Sequence, residues 1–240
     1  MGAVPTLGER VRHRRIDVFE AAVRDAVMEG PSGDAVLAAA LDDLPRSRHL
    51  EVVVALGDAQ GTHGPRALRA VLASPAADRD MRCAAVLALA KRCGHEASAD
   101  LAAALSSRDA AVKQYAMLGL AYAADDRAFD AAFTRLRHLV RRQEAGPPTD
   151  LAFLSVQPPA VAAIFYLARH LDGAGGKRTV RLVSELRTQW DLLPARGRRW
   201  LAETWPECGP DGPAVPEVPA PEPRRLDAWI ARDPLFGPAH

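Results

Sequence analysis

The sequence predicts an all-α protein, a right-handed α-solenoid of about five stacked helix pairs. Two features point there. The stretch Met81-Arg-Cys-Ala-Ala-Val-Leu-Ala-Leu-Ala-Lys91 is echoed about 31 residues on by Val112-Lys-Gln-Tyr-Ala-Met-Leu-Gly-Leu-Ala-Tyr122, with a short Ala/Leu-rich segment, Ser98 to Ser106, and a turn between. Hydrophobic residues, chiefly Ala, Leu and Val, make up 48% of the 240, while aromatic residues make up 5%. Such a composition builds a core of small side chains and favours close-packed helices over sheet.

Residues 1–33 read as an N-terminal cap. A basic start (Arg10, Arg12, His13, Arg14, Arg15) leads into a helix from Ile16 to Met28 with Val18, Ala22, Ala26 and Val27 on one face, stopped by Gly30-Pro31-Ser32-Gly33. A solenoid needs this cover, because an uncovered terminal repeat exposes core. Residues 34–206 hold the pairs. These are Asp34 to Leu44 with Arg48 to Ala59, Pro65 to Ala73 with Asp80 to Arg92, and Ala97 to Ser106 with Asp109 to Ala123. Arg127 to Arg142 with Val161 to Leu171, and Arg178 to Leu193 with Arg196 to Thr204, complete the set. Asp78 stands four residues before Arg82, and Asp109 four before Lys113. An acid there suits the helix dipole and is expected to reach the base one turn on. The fourth pair is interrupted by Gln143 to Pro159, whose apolar run Leu151 to Leu154 is expected to fold back over core, the alternative being a binding loop. In residues 207–240, Glu207 to Pro223 reads as an extended, unpacked Pro-rich linker. A short amphipathic segment follows, with Leu226, Trp229 and Ile230 on one helical face and Phe236 beyond. That face needs cover from the chain's own groove, a second copy or a partner.

The pattern Asp-x-x-(Val/Met)-(Arg/Lys)-x-x-Ala-x-x-x-Leu, after a short Leu-rich helix, is met by the segments carrying Arg82 and Lys113. It resembles HEAT repeats over roughly residues 34–205, with His49 at the basic position of the first pair and Ala160 at that of the fourth. The resemblance implies a scaffold for partners rather than a chemistry, and it implies that the second helices line a concave face. Two positions before the consensus Leu, that face carries Val54, Leu87, Leu118 and Phe165. One turn earlier stand Leu50, Cys83, Gln114 and Val161, and one turn later Asp58, Lys91, Tyr122 and Arg169. An apolar stripe with a polar rim suits a peptide or a helix. The function expected is therefore that of a non-catalytic interaction scaffold or adaptor with a protein partner. Val54, Leu87, Leu118 and Phe165 would supply apolar contact, and Lys91, Tyr122 and Arg169 orientation. Leu226, Trp229, Ile230 and Phe236 are candidates to fill the groove in cis. The competing expectation is that the row is ordinary core.

The formal net charge of +1 implies no global attraction to nucleic acid. Arg127 to Arg199 is nonetheless basic, with thirteen Arg/Lys against six Asp/Glu. This supports a second expectation, nucleic-acid binding. The HEAT-like alkylpurine DNA glycosylases use a carboxylate and aromatic residues on a basic face, and Trp190, Asp191, Trp200 and Trp205 lie among Arg187, Arg196, Arg198 and Arg199. The bland reading is that these tryptophans plug the last repeat. The HEAT-like deoxyhypusine hydroxylases hold two irons with several His-Glu pairs, whereas this chain has only His95-Glu96, so no metal is expected. Without a Gly-x-Ser-x-Gly elbow or a phosphate-cradling loop, no catalytic residue and no cofactor are expected. Cys83, Cys93 and Cys208 form no C-x-x-C pair, and free thiols in a reducing cytoplasm are the simplest expectation. No signal-peptide core and no membrane-length apolar run is present. Only three lysines against 28 arginines, and no asparagine, is the bias of a high-GC, actinobacterium-like genome.

Overall fold

The computed structural model describes residues 4–123, 125–142 and 159–230, and among these every regular element is a helix. In chain order they are α1 (Leu7–Val11), α2 (Ile16–Met28), α3 (Pro31–Asp43), α4 (Arg46–Asp58), α5 (His63–Ala73), α6 (Arg79–Cys93) and α7 (Ser98–Ala104). Then come α8 (Ala110–Ala123), α9 (Phe129–Arg142), α10 (Pro159–Arg169), α11 (Lys177–Thr188), α12 (Ala195–Thr204) and α13 (Pro223–Ile230). Among the described residues no helix is long and apolar enough to cross a membrane.

The N-terminal segment is more regular than expected. Thr6 caps α1 by accepting from Glu9 N, while the Glu9 carboxylate accepts from Thr6 N at 2.7 Å, a reciprocal capping box. Gly30 ends α2 with φ at 65°, but Pro31 to Gly33, expected to prolong the turn, instead form the first turn of α3. Proline suits the first helical position because its missing N–H would have had no partner there. A Cβ on Gly33 would lie 1.9 Å from Ala26 O, so this glycine lets α3 cross directly against α2.

Helices pack as pairs, α3 on α4, α5 on α6, α7 on α8 and α9 on α10. The second helices also touch one another in series, α2–α4–α6–α8–α10–α12. This order is compatible with an α-solenoid. The second-helix layer is the tighter one, and small residues explain why. A Cβ on Gly57 of α4 would stand 3.0 Å from the Ala88 Cα of α6, and one on Gly119 of α8 would stand 3.1 Å from the Ala90 Cβ. The first helices are held further apart. An open cavity of about 650 Å³ lies between α3 and α5, and one of about 410 Å³ between α5 and α7.

The repeat period reappears as a ladder of contacts. Arg12 pairs with Asp43, Arg69 with Asp100 and Arg127 with the His95 carbonyl, spacings of 31, 31 and 32 residues. Two buried polar side chains, each three residues before a buried leucine, tie one repeat to the next. Ser98 Oγ accepts from Asp125 N at 3.1 Å. Asp34 accepts from His63 N at 2.8 Å and Gly64 N at 3.1 Å at the start of α5. Asp34 also faces Arg92 at 2.7 Å, and that guanidinium donates to Leu56 O at 2.5 Å and Gly61 O at 2.8 Å. One buried ion pair thus joins α3, α4, α5 and α6.

The expected Asp-to-base pairing within a helix is replaced by capping and by a link between repeats. Asp78 accepts from Met81 N at 2.8 Å and Asp109 from Ala111 N at 2.9 Å, so both are N-caps. Arg82 donates Nε to the Asp78 carbonyl at 3.4 Å and reaches its ion-pair partner in Asp109 of the next repeat, at 3.7 Å, beside Arg79 at 3.4 Å.

The Pro-rich segment is not an unpacked linker. Arg187 donates to Glu207 O at 3.0 Å and Cys208 O at 3.3 Å, Trp205 Nε1 donates to Pro219 O at 2.8 Å, and Cys208, Val218 and Leu226 are buried. Proline lacks the N–H that helix or sheet needs, so this strap is held through its carbonyls and apolar side chains. The expected fold-back of Leu151 to Leu154 lies outside the described residues.

Candidate interaction surface

The row predicted to line the groove does not have one character along its length. Val54 on α4 is 43% exposed and Leu87 on α6 is half-buried, but Leu118 on α8 is 2% and Phe165 on α10 is 0% exposed. Leu118 and Phe165 are therefore core, a correction to the expected four-residue groove. The reason is tertiary: α8 lies between α6 and α10 and against α7, and α10 is packed by α8, α9, α12 and α13. The row one turn earlier follows the same trend, with Leu50 half-buried and Cys83, Gln114 and Val161 buried.

The polar row at the C-terminal ends of the second helices stays accessible. Asp58 and Lys91 form an ion pair from α4 to α6. Tyr122 is 37% exposed, and the Arg169 guanidinium lies 5.6 Å from the Phe165 ring centroid. Of the groove residues predicted, Val54, Lys91, Tyr122 and Arg169 are exposed and Leu87 is half-buried.

Of the tail residues expected to dock, Leu226 is the one whose side chain is described. α13 lies against α10, and Leu226 is 3% exposed. The side chains of Trp229 and Ile230, and all of Phe236, lie outside the described residues.

Two acidic residues that face each other between α2 and α4 were missed. Glu20 of α2 and Glu51 of α4 stand at the same 31-residue spacing that defines the repeat, so the period itself carried the signal. The Glu51 carboxyl is raised above its ordinary range, first by burial and then by the charge of Glu20, against the opposing pull of Arg24 and Arg48. Arg48 is committed elsewhere, donating to the carbonyls of His13 and Arg14 and lying 4.7 Å from the Phe19 ring centroid.

The residues singled out for chemistry do not converge. Trp200 and Trp205 are buried, with Trp205 Nε1 bonded to a carbonyl, while the Asp191 side chain is fully exposed. Arg178, Arg181, Arg137 and Arg198 face Asp126, Asp130, Glu185 and Asp191 respectively. His95 and Glu96 are exposed in a turn, and no group of three metal-ligating side chains occurs among the described residues. All three cysteines are free. Burial pushes the Cys83 and Cys208 thiols up to about 12, and it raises the half-buried Cys93 as well. In comparisons with known proteins, the chain matches no family model and no curated protein sequence.

Proposed function

We propose that this chain is a HEAT-like α-solenoid of about five helix pairs acting as a non-catalytic scaffold, which takes a peptide or helix on its second-helix face. The observation that carries this reading is the row on successive second helices in which Val54 and Tyr122 are exposed and Leu87 is half-buried, with the Asp58–Lys91 pair joining α4 to α6. Tight Gly/Ala contacts in the second-helix layer, against cavities between the first helices, favour curvature with the second helices inside. A concave face supplies the depth that a ligand helix needs. Arg169 would orient a ligand at the far end. Free cysteines fit a reducing compartment such as the cytoplasm.

Nucleic-acid binding through the basic repeats has less support. Six arginines there, Arg127, Arg137, Arg141, Arg178, Arg181 and Arg198, face carboxylates, which reduces the charge that could release counterions from a phosphate backbone. The test is a capture experiment from lysate with the immobilised full chain beside its Val54→Asp and Leu87→Asp variants. A protein retained by the unaltered chain and lost with both variants is expected. Retention indifferent to both substitutions, or salt-sensitive nucleic acid alone, would refute the reading.

A further inference from the structure

The strap that follows α12 lies on the helices as a bound peptide would. From Gly212 onward burial returns at every third residue. Gly212 and Val215 are half-buried, Val218 and Pro221 are buried, and the residues between them are exposed. The polyproline helix and the 3-10 turn at Val215–Glu217 both have three residues per turn, which puts these four on one edge of the strap. The backbone bonds of the strap are local, from Gly212 N to Gly209 O, Glu217 N to Ala214 O and Val218 N to Val215 O. Trp205 ties it to the helices, with Nε1 donating to Pro219 O at 2.8 Å, in the manner of an aromatic-lined groove taking a proline-rich segment. Val215–Glu217 lies against α11, and beyond it α13 lies against α10 with Leu226 buried.

One turn decides which body the strap lies on. Gly209 to Gly212 closes through Gly212 N to Gly209 O at 3.1 Å, with Pro210 at its second position. A Cβ on Gly212 would stand 2.1 Å from Glu207 O, so the closed turn depends on a glycine there. We infer that residues 213–230, the strap with α13, are an arm that two copies of this chain exchange, each arm lying on α10, α11 and Trp205 of the other. The segment seen to fit this surface is the chain's own, so a second copy supplies the matching ligand. Every contact made in cis is available unchanged in trans, and both bodies stay covered, so the exchange gives up only the turn. Opened, residues 209–213 span about 17 Å at about 3.3 Å each and carry the arm off its own body. The pair is isologous and closes on itself. Effective concentration opposes it, since a short link holds the arm at about millimolar over its own site. The state of the turn is therefore the switch between single and paired copies.

The experiment is size-exclusion chromatography with light scattering on the full chain over a concentration series, beside Gly212→Val and a deletion of residues 210–212. At about 10 μM, roughly a hundredfold below the effective concentration of the arm, the unaltered chain is expected to run as a monomer, with a dimer that grows toward millimolar. Gly212→Val meets Glu207 O in the closed turn, and the deletion leaves too short a link for the arm to fold back. Both should run as dimers at about 10 μM, with an unchanged circular-dichroism spectrum. Adding Val218→Asp to Gly212→Val should return it to monomer, and incubation with an excess of a synthetic peptide of residues 213–230 should take the dimer apart. A Gly212→Val chain that stays folded and monomeric, or a dimer that survives both Val218→Asp and the peptide, would overturn the inference. Loss of the folded spectrum in both hinge variants would overturn it too, because exchange keeps both bodies covered.

Discussion

Replacing Asp34 by Ala tests how far the buried ion pair holds the first two repeats together. The carboxylate is fully buried and serves three donors, namely the Arg92 guanidinium at 2.7 Å and the N–H groups of His63 and Gly64. Its loss leaves the Arg92 side chain, 7% exposed, without a counter-charge, although its bonds to Leu56 O and Gly61 O remain. Removing one partner of such a pair costs about 3–5 kcal/mol. At about 2–4 °C per kcal/mol for a chain of this size, the melting temperature should fall by roughly 6–20 °C. Arg92→Ala should cost a similar amount, because it strands the Asp34 carboxylate instead. The double variant Asp34→Leu/Arg92→Met removes both charges and should cost clearly less than the sum of the single changes. It should not return to the starting value, since the His63 and Gly64 N–H groups then lack an acceptor at about 1–3 kcal/mol each. Thermal and urea unfolding followed by circular dichroism reads all four chains. A loss below about 1 kcal/mol for Asp34→Ala, in the range of a solvated surface pair, or strict additivity in the cycle, would refute the account.

Leu118→Asp and Phe165→Asp should abolish cooperative unfolding or the folded spectrum itself, while Val54→Asp on the same row leaves the melting temperature within about a degree or two, as exposed substitutions do. Ending the chain at Glu207 removes Cys208, Val218 and Leu226 from the core, each worth about 1.5–3 kcal/mol when buried, and should lower the urea midpoint substantially; an unchanged midpoint would show the strap to be dispensable. Iodoacetamide at pH 8 should label Cys93 first and leave Cys83 and Cys208 unmodified, because a thiol near 12 is ionised in only about one molecule in ten thousand there. In denaturant all three should react, which mass spectrometry counts directly. Early labelling of Cys83 in the folded chain would contradict its burial.

Helical content, the 31-residue period and most helix positions were legible in the sequence, because each depends on neighbours three or four residues away. The helix over Ile16–Met28 needs only its own periodic apolar face, and Asp78 and Asp109 cap because an acid at a helix start meets unbonded N–H groups. The exposure of the second-helix row was not legible. Val54, Leu87, Leu118 and Phe165 hold equivalent positions in equivalent helices, and their local sequences say the same of each. Packing separates them, since α8 and α10 are enclosed by neighbours that the α4 end of the row lacks. The same holds for Arg82, whose ion pair is with Asp109 rather than with the Asp78 carboxylate one turn before it, and for Asp34, an ordinary first-turn acid until Arg92 arrives from three helices further along. Secondary structure is settled by short-range backbone geometry that the chain spells out. Burial and pairing are settled by which distant surfaces meet, and that only the folded arrangement decides.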